Sequence, residues 1–591
     1  MRGYLAPLFL LLAVAQMAAA DEHSSPIGRK ADGFSLRDFR GKVHTLDEAA
    51  DKKLVVVVFL GCECPLATLY APRLQELAQE FDSRGVAFFG INANSQDSLT
   101  EVGAYVQAHK LTFPVLKDPG NVVADQMGAV RTPEAFVLDQ DRIVRYWGRI
   151  DDQYLVGRQR PAATREDLKQ ALEELLAGNP VSMPEAQAVG CYIGRIPKRK
   201  PHGEATYSNQ IARLLQQRCV ECHRPGEIAP FPLTSYEEVV GWGETIREVI
   251  DQGRMPPWFA SPEHGKFAND ARLSDAERQL IYDWLDAGSP EGDPARLPKP
   301  RDFTVGWQIP EPDQVLYIRE EPYDVPAEGV VAYQYFMVDP GFTEDRWIKA
   351  AEARPDNRNV VHHIVAIFVP PGAKLRGGAR GAMIGYAPGM PPNRFPEGAA
   401  MFVPAGSRIL FQVHYTPNGS PQKDRSCIGL VYADPSEVKA KIGGGMAPNR
   451  LFEIPPGAGN YEVTSKHRFK EDVRLVNMTP HMHLRGKSFR YEAEYPDGRR
   501  EILLDIPRYD FNWQLRYQLA EPKLLPKGTT LRCTAHFDNS ADNVANPDPT
   551  KAVRWGDQTW EEMMIGYFST LPVEEADSSA AANSPDEPAA E

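Results

Sequence analysis

The chain has 591 residues, and its 66 Lys and Arg against 80 Asp and Glu give a formal charge of −14. This acidic balance argues against a nucleic-acid binder, and the hydrophobic fraction of 42% is too high for a disordered chain. Seven Cys are too few for a disulfide-built scaffold, whereas 46 Gly and 51 Pro indicate many turns. The length suggests about four domains.

The two ends of the chain differ in composition from the rest. Residues 1–20 combine Arg2, an apolar run and small residues at 18–20, which is the pattern of a cleaved signal peptide. No later stretch is apolar for long enough to span a bilayer. We therefore expect an exported protein, periplasmic or secreted, with no membrane span after signal removal and no nucleic-acid partner. Residues 571–591 are acidic and rich in Ala, Ser and Pro, which predicts a disordered tail.

Three blocks with different patterns lie between these ends. Residues 26–185 alternate buried-strand runs with helical spacing, which predicts an α/β domain. Residues 203–293 favour short helices. Residues 305–570 contain many short strands broken by Pro-Gly, Asn-Gly and Asp-Gly turns, which predicts two all-β sandwiches at 305–440 and 441–570.

Two cysteines follow a predicted strand of the first block. Cys62 and Cys64 stand in Gly-Cys-Glu-Cys-Pro, and Cys64 lies at the start of a predicted helix. The helix dipole and its unpaired N–H groups lower the pKa of a thiol in that place. Thr132-Pro133 precedes a later strand. With these features the block resembles the peroxiredoxin-like redoxins of thioredoxin fold (AhpC/TSA type), which implies Cys64 as the reactive thiol.

The partner of Cys64 stays open at this point. Cys62 is two residues away, and a Cys-x-Cys disulfide is strained, although Cu(I) can use both thiolates. Cys191 lies beyond the last predicted helix of the block and is a second candidate, as a resolving thiol. The expected activity is that of a thiol peroxidase or a thiol–disulfide oxidoreductase. The alternative is a domain kept only as a fold, with Cys64 chemically idle.

The second block contains Cys219, Cys222 and His223 in the pattern Cys-x-x-Cys-His. Two thiols at this spacing can bond both vinyl groups of one haem, and the adjacent imidazole can bind its iron. Met255 lies in a loop restricted by two prolines and is the candidate sixth ligand, with His264 as its rival. The block resembles an all-α class I cytochrome c with one covalent haem c. A zinc site or a disulfide is the alternative for the two cysteines.

Histidines recur in the third block in an order that favours metal binding. Residues two apart in a strand share a face, so His481 and His483 can bind one ion together. Adjacent His362 and His363 can do so only at a bulge or a strand end. Two imidazoles with a thioether favour copper, because sulfur stabilises its reduced state. The candidate ligands, in chain order, are His362, His363, His414, His481, His483 and Met563.

This set resembles that of the copper type II ascorbate-dependent monooxygenases, the family of peptidylglycine hydroxylase and dopamine β-monooxygenase. The resemblance implies two jelly-roll-like sandwiches with two copper ions. It also implies that O2 hydroxylates a substrate C–H bond, with electrons from an external reductant or redox protein. The implied positions are His362, His363 and His414 for the first copper, His481, His483 and Met563 for the second, and Gln412 and Tyr567 beside the substrate.

Two departures limit what the resemblance implies about the substrate. Where the peptidylglycine enzyme binds the substrate carboxylate with Arg and Asn, this chain has Thr479 and Ile565, so the charge-assisted clamp is missing. We therefore expect a small-molecule substrate other than a C-terminal glycine peptide. The alternative is an exported electron-transfer or copper-handling protein without catalysis. Cys427 and Cys533 stay unassigned, either as a bridge or as two buried thiols.

Fusion in one chain raises the effective concentration of each redox centre beside the next. We expect the haem to pass electrons to the copper at His362, His363 and His414. The redoxin block is expected to feed electrons to the haem, to remove peroxide or to help load copper.

Overall fold

A computed structural model describes residues 25–197, 202–304, 306–373 and 383–573. The predicted signal peptide at 1–20 lies outside these residues, as does most of the predicted tail. Among the described residues, no helix is long and apolar enough to cross a lipid bilayer. The chain folds in order into an α/β unit, a helical unit and two sandwiches.

The α/β unit, residues 25–197, is built on a mixed eight-stranded sheet. Its helices are α1 (Pro65–Asp82), α2 (Leu99–Ala108), α3 (Val122–Met127) and α4 (Asp167–Leu176). Its strands are β1 (Ser35–Asp38), β2 (Val43–Thr45), β3 (Leu54–Phe59), β4 (Val86–Asn92), β5 (Val115–Lys117), β6 (Arg131–Thr132), β7 (Glu134–Leu138), β8 (Val144–Gly148), β9 (Tyr154–Leu155), β10 (Arg158–Gln159), β11 (Glu185–Ala186) and β12 (Cys191–Tyr192).

The strand order of this sheet is β11-β8-β7-β3-β4-β5-β1-β2, with β3, β4 and β5 parallel and β7 antiparallel to β3. Side chains of β3 alternate between two cores, so Val56 faces α1, α2 and α4 while Val57 faces α3. This is the thioredoxin-like α/β fold that the sequence predicts. The unit continues past residue 185, because β12 pairs with β6.

The helical unit, residues 202–304, has a π-helical turn (Tyr207–Ile211) followed by α5 (Ala212–Arg218), α6 (Tyr236–Gly241), α7 (Gly243–Asp251) and α8 (Asp275–Asp286). Ser235 and Ser274 cap α6 and α8, each in a capping box with the Glu three residues later. Trp242 and Trp284 lie fully buried in the core of the unit.

Gln96 lies at the contact between the α/β unit and the helical unit. Its side chain lies between Gly194 and Gly241, where an added Cβ would stand 2.0 Å and 2.5 Å, respectively, from Gln96 Oε1. An ion pair of 2.8 Å between Arg131 and Glu248 joins the same two units. Only glycine at 194 and 241 therefore allows this close approach.

The first sandwich, residues 306–373 and 383–442, pairs a sheet of order β13-β23-β16-β20-β24, with β19 on β16, and a sheet of order β15-β21-β17-β18. In chain order, its strands are β13 (Gln314–Tyr317), β14 (Tyr323–Val325), β15 (Gln334–Val338), β16 (Arg346–Arg354), β17 (Val361–Val369), β18 (Met383–Tyr386), β19 (Asn393–Arg394), β20 (Ala399–Val403), β21 (Arg408–Tyr415), β22 (Gln422–Asp424), β23 (Cys427–Tyr432) and β24 (Ala440–Lys441).

The second sandwich, residues 443–573, has one sheet of order β25-β34-β28-β31 and another of order β27-β32-β29-β30. In chain order, its strands are β25 (Gly443–Pro448), β26 (Glu453–Ile454), β27 (Tyr461–Arg468), β28 (Val473–His481), β29 (Gly486–Glu494), β30 (Arg500–Ile506), β31 (Tyr517–Leu525), β32 (Thr530–Phe537), β33 (Val553–Arg554) and β34 (Ile565–Pro572). The large all-β C-terminal region is thus the one that the sequence predicts.

Two details of this region differ from the expectations that the sequence raises. Composition predicts a tail from residue 571, but Leu571 and Pro572 belong to β34 and pair with Arg474 and Val473 of β28. Residues 574–591 lie outside the described residues. Cys427 and Cys533 are free thiols on strands of different sandwiches, so the structure does not join them in a bridge.

Candidate functional site

The first histidine set is brought together by an irregularity in β17. The ladder between β17 and β21 shifts register between Val361 and His363, which leaves His362 as the extra residue of a bulge. His363 then lies directly opposite His414. The Nδ1 atom of His362 is 3.4 Å from Nδ1 of His363 and 3.3 Å from Nδ1 of His414. The bulge therefore places three ring nitrogens within 4.8 Å of one another.

Burial keeps these three imidazoles neutral. It lowers the pKa of His362 to about 4 and the pKa values of His363 and His414 well below the ordinary range. The neutral ring is the form that binds a transition metal. Within the described part of the chain, Nε2 of His362 is buried without a hydrogen-bond partner. Three converging neutral nitrogens fit a copper or zinc ion.

The second histidine set lies at the end of β28. His481 is the last residue of that strand, His483 follows in the next loop, and their ring centroids are 5.2 Å apart. Nδ1 of His481 hydrogen-bonds Gln514 Oε1 at 2.8 Å, and Nδ1 of His483 hydrogen-bonds the carbonyl oxygen of Glu561 at 3.3 Å. These outer bonds fix the rings and leave Nε2 of each for a metal. Among the described residues, Nε2 of His483 has no hydrogen-bond partner and is buried.

Glu562 ties the segment of Met563 to the second set. Its carboxyl group accepts backbone N–H bonds from His483 at 2.9 Å, Arg485 at 2.7 Å and Met563 at 3.3 Å. The side chain is fully buried, and burial raises its pKa to about 7. Sequence reasoning misses this residue, because its one signal is its place directly before Met563.

Aromatic side chains separate the two histidine sets. The ring of Tyr333 is 4.9 Å from that of His414 and 6.2 Å from that of His483. Phe511 approaches the same place from the second sandwich. The two sets therefore face each other across the junction of the sandwiches, with aromatic rings between them.

Gln412 and Tyr567 flank the two sets. Gln412 stands two residues before His414 on β21, and its Nε2 donates to Tyr335 Oη at 2.9 Å. Tyr567 lies on β34, and its ring centroid is 6.3 Å from that of His481. Each histidine set thus has beside it one of the two residues that are expected to contact the substrate.

The Cys-x-x-Cys-His motif forms a turn at the end of α5. Both Cys222 and His223 donate their N–H to the carbonyl of Cys219, at 3.1 Å and 3.0 Å. The two thiols are free, and burial raises their pKa values to about 12 at Cys219 and about 11 at Cys222. Nδ1 of His223 hydrogen-bonds Phe231 O at 3.0 Å, which leaves Nε2 for a ligand on the other side of the ring. This arrangement fits covalent haem.

Met255 lies in the loop after α7, which packs on the second sandwich. Its N–H donates to Val249 O at 3.1 Å, and Trp258 of the same loop is 4.9 Å from Tyr517 between ring centroids. In the described residues, no hydrogen bond or ring contact links Met255 or His264 to His223. Met255 as the sixth haem ligand therefore stays a prediction.

Cys64 is the N-cap residue of α1. Its Sγ donates to Thr132 O at 2.9 Å, beside the cis bond between Thr132 and Pro133. Cys191 lies on β12 directly opposite Thr132. Burial opposes ionisation of Cys64, but the neighbouring Cys191 thiol and Thr132 hydroxyl outweigh burial and lower the pKa of Cys64 to about 6. The hydrogen bond with Cys64 raises the pKa of Cys191.

Cys62 has the opposite electrostatic environment. Its N–H donates to Asp97 Oδ2 at 2.9 Å, and Asn92 Nδ2 lies 3.6 Å from its Sγ. Burial, followed by the nearby Asp97 carboxylate, raises the pKa of Cys62 far above its ordinary value. Cys62 therefore stays protonated at neutral pH. Of the two candidate partners, the structure brings Cys191 to Cys64.

The helical unit covers this thiol pair. Cys64 is 0% exposed. Glu63 lies against Trp242 of the helical unit, and burial followed by neighbouring carboxylates raises its pKa to about 7. Trp242 stacks on Phe231 with centroids 3.8 Å apart, and the ring of Phe231 is 5.0 Å from that of His223. An aromatic pair thus connects the thiol region with the Cys-x-x-Cys-His motif.

The α/β unit is similar to known proteins. The model of the AhpC/TSA family matches residues 27–147. Thiol-disulfide oxidoreductase ResA from Bacillus anthracis is 28% identical over 156 residues, which cover 26% of this chain and 82% of that protein. The protein of the same name from Halalkalibacterium halodurans is 31% identical over 121 residues, covering 20% of this chain and 67% of that protein.

Among solved structures, the hypothetical protein SMc02350 from Sinorhizobium meliloti 1021 is similar at 32% identity and a TM-score of 0.28, with 29% of this chain and 95% of that chain covered. The family match and the two oxidoreductase relatives agree with a thioredoxin-like unit whose Cys64 begins a helix. The chain therefore belongs to the AhpC/TSA family through residues 27–147, which form a thioredoxin-like redoxin domain of the oxidoreductase type.

Proposed function

We propose that the chain is an exported oxidoreductase whose two sandwiches form a copper-dependent monooxygenase-like module. This module hydroxylates a C–H bond of a small-molecule substrate with O2. The observation that supports the proposal most is the convergence of His362, His363 and His414 at the bulge of β17. The buried pair His481 and His483 faces this set.

Copper supplies one-electron redox chemistry and reactivity toward dioxygen when it is bound. His362, His363 and His414 would hold one ion through their converging nitrogens. Nε2 of His481 and Nε2 of His483, whose rings are fixed by Gln514 and by the carbonyl of Glu561, would hold the second.

The other residues of the module position these ligands and the substrate. Glu562 holds the segment of Met563, the remaining ligand of the second ion, against the backbone of His483. Gln412 and Tyr567 flank the two sets and orient the substrate between them. Tyr333, buried between the sets, excludes water from the space that they share.

The helical unit serves as the electron donor in this proposal. Cys219 and Cys222 would hold one haem c covalently, and His223 and Met255 would bind its iron. Free thiols on one turn and a fixed His223 ring favour this assignment. An external reductant or redox protein replenishes the electrons.

Metal content and oxygen uptake test the module. We expect about two copper ions per chain and reductant-dependent oxygen consumption in the wild type. His414→Ala and His483→Ala should each lose one copper and the oxygen consumption. His467→Ala, on β27 and outside both sets, is the matched control and should keep both. Full copper binding without oxygen consumption under every reductant and candidate substrate would instead identify a copper-handling or electron-transfer protein.

A second function, thiol–disulfide exchange, is favoured by the position of Cys191 directly opposite Thr132, whose carbonyl oxygen accepts the hydrogen bond from Cys64 Sγ. Cys64 is buried beneath the helical unit, so exchange requires that unit to move away from the thiol pair. The Cys64 thiolate then attacks one sulfur of a partner disulfide, and the other sulfur leaves as a thiolate that takes up a proton. Cys191 then loses its proton and attacks Cys64 Sγ. This step forms the Cys64–Cys191 disulfide and releases the second partner thiol.

A further inference from the structure

A cleft of about 710 Å³ lies between the helical unit and the first sandwich. One wall is the loop at residues 224–232, directly after the Cys-x-x-Cys-His motif, and the other includes the end of β16 and the turn at 355–359. This volume is typical of a small-molecule site. Neither histidine set and none of the three thiols of the α/β unit lines it, and its lining does not include Cys219, Cys222 or His223. The cleft is therefore distinct from the ligand residues of the proposed function.

Positive charge collects in this cleft although the chain as a whole is acidic. Four arginines line it against two carboxylates, Glu227 and Asp356. Arg224 and Arg358 share Glu227, at 2.8 Å and 3.2 Å. The cleft therefore has an excess of two positive charges within a chain of formal charge −14. Such a local field attracts an anion.

Arg354 and Arg425 are the two arginines that have no acidic partner. No carboxylate of the described residues lies within 4.0 Å of either guanidinium group. The guanidinium of Arg354 lies over the ring of Trp307 at 5.3 Å, and that of Arg425 lies over the ring of Tyr317 at 4.1 Å. Stacking orients a guanidinium while its in-plane N–H groups stay able to bind a carboxylate. In Arg425, Nε donates to the carbonyl of Arg319 at 3.4 Å, so its Nη groups are the ones left for a ligand.

The strand register places a thiol between these groups. Cys427 on β23 is the direct neighbour of Tyr317 on β13 and of Arg354 on β16. It is a half-buried free thiol that lines the cleft. Cys427 is therefore a reporter located beside both stacked arginines.

We propose that this cleft binds a small planar carboxylate. Arg354 and Arg425 bind the carboxylate oxygens, because charge-assisted pairs with guanidinium are strong and directional. The aromatic lining contributed by Trp307 and Tyr317 accommodates the flat body of the ligand. Carboxylates of this class have two sources, a free small molecule or the propionates of a haem attached at Cys219 and Cys222; we assign the site to the free molecule.

The test uses the purified full chain with 4-hydroxybenzoate as the probe. We expect 1:1 binding in calorimetry, and labelling of Cys427 by N-ethylmaleimide, followed by peptide mass spectrometry, should slow about fivefold at saturation. Arg354→Gln and Arg425→Gln should each weaken binding about tenfold. Arg346→Gln is the matched control on the same strand, since its guanidinium lies over Tyr432 at 5.0 Å but outside the cleft. It should bind as the wild type does.

Four results would overturn the proposal. The first is a labelling rate at Cys427 of the wild type that is the same with and without the probe. This result does not depend on the folding of any variant. The second is unchanged affinity in both arginine variants. The third is equal protection by sulfate at equal affinity, which would make the cleft a general anion site. The fourth is protection of Cys427 in haem-loaded chain without probe, which would assign the arginines to the propionates.

Discussion

Phe511 stacks on His362, with ring centroids 5.0 Å apart and ring planes inclined by 17°. Phe511 lies between β30 and β31 of the second sandwich, whereas His362 lies at the bulge of the first. The same phenyl ring is 6.0 Å from the ring of His483. One side chain thus contacts a member of each histidine set, and it couples the packing of the two sandwiches to the geometry between the sets.

Replacing this ring should separate packing from metal binding. Phe511→Ala removes a phenyl group buried at the junction and should lower the free energy of unfolding by about 3–5 kcal/mol. Phe511→Leu retains most of the apolar volume and should cost about half as much. Urea denaturation of the metal-free chain measures both. Since Phe511 is not a ligand, copper content should stay unchanged; a loss of copper equal to that of His414→Ala would contradict this role.

Substitution of Glu562 should reduce stability and Cu(I) affinity more than substitution of its neighbour Glu561. Glu562→Ala leaves three buried N–H groups without their acceptor and should lower the free energy of unfolding by about 2–4 kcal/mol. The Cu(I) affinity of the second set should fall, because Met563 loses its anchor to His483. Competition with a chromogenic Cu(I) chelator measures this affinity. Glu561→Ala is the control, since its own contact to His483 is made by the backbone carbonyl; equal losses in both variants would be the contrary result.

Serine substitutions should distinguish the partners of Cys64. Cys191→Ser cannot complete the second exchange step, so a mixed disulfide between Cys64 and a model disulfide should accumulate. Cys62→Ser should not trap it, because the Cys62 thiol is held protonated beside Asp97. Non-reducing electrophoresis and peptide mapping identify the species. A Cys62–Cys64 bond as the main product of mild oxidation of the wild type would reverse this assignment.

The same reaction should depend on pH in a defined direction. The thiolate of Cys64 predominates above its pKa of about 6 and is lost below it. The rate of mixed-disulfide formation in Cys191→Ala should be measured against the wild type, because that variant removes the hydrogen bond that stabilises the thiolate. In the wild type we expect a nearly constant rate from pH 7 to 8 and a tenfold fall per pH unit well below 6. In Cys191→Ala the fall should begin at a higher pH; an identical profile would show that Cys191 does not tune Cys64.

Haem attachment can be tested without any activity assay. Chain produced together with haem-attachment machinery should contain about one covalent haem, with the pyridine haemochrome spectrum of two saturated vinyl groups. Cys219→Ser should shift this spectrum toward that of a single thioether bond, and Cys62→Ser should leave it unchanged. About one zinc ion per chain, with no haem, would establish the alternative for Cys219 and Cys222.

Some of these features were accessible from the sequence, and others were not. The adjacency of His362 and His363 requires a bulge or a strand end if both are to bind one ion. A bulge occurs, and the pairing with β21 determines it. The apolar run at 54–59 predicts the central strand of the sheet. Glu562 acts on His483, 79 residues away in sequence, and no local pattern indicates such a contact. Phe511 is likewise far from His362 in the sequence.

The start of the tail and the partner of Cys64 also depend on long-range contacts that local sequence patterns do not indicate. The composition of residues 571–591 predicts a disordered tail, yet Leu571 is drawn into β34 by strand partners that composition does not encode. Spacing leaves Cys62 and Cys191 as equal candidates beside Cys64. The choice depends on the pairing of Cys191 with Thr132, which belongs to the tertiary fold.

The close approach of Gln96 to Gly241 has a consequence for protein engineering. A redoxin domain from a relative cannot simply be grafted in place of residues 25–197, because a side chain larger than hydrogen at 194 would bring its Cβ within 2.7 Å of the carbonyl oxygen of Gly241. The α/β and helical units are therefore one building block, not two interchangeable modules. A functional chimera would have to transfer positions 96, 194 and 241 together, along with the ion pair of Arg131 and Glu248.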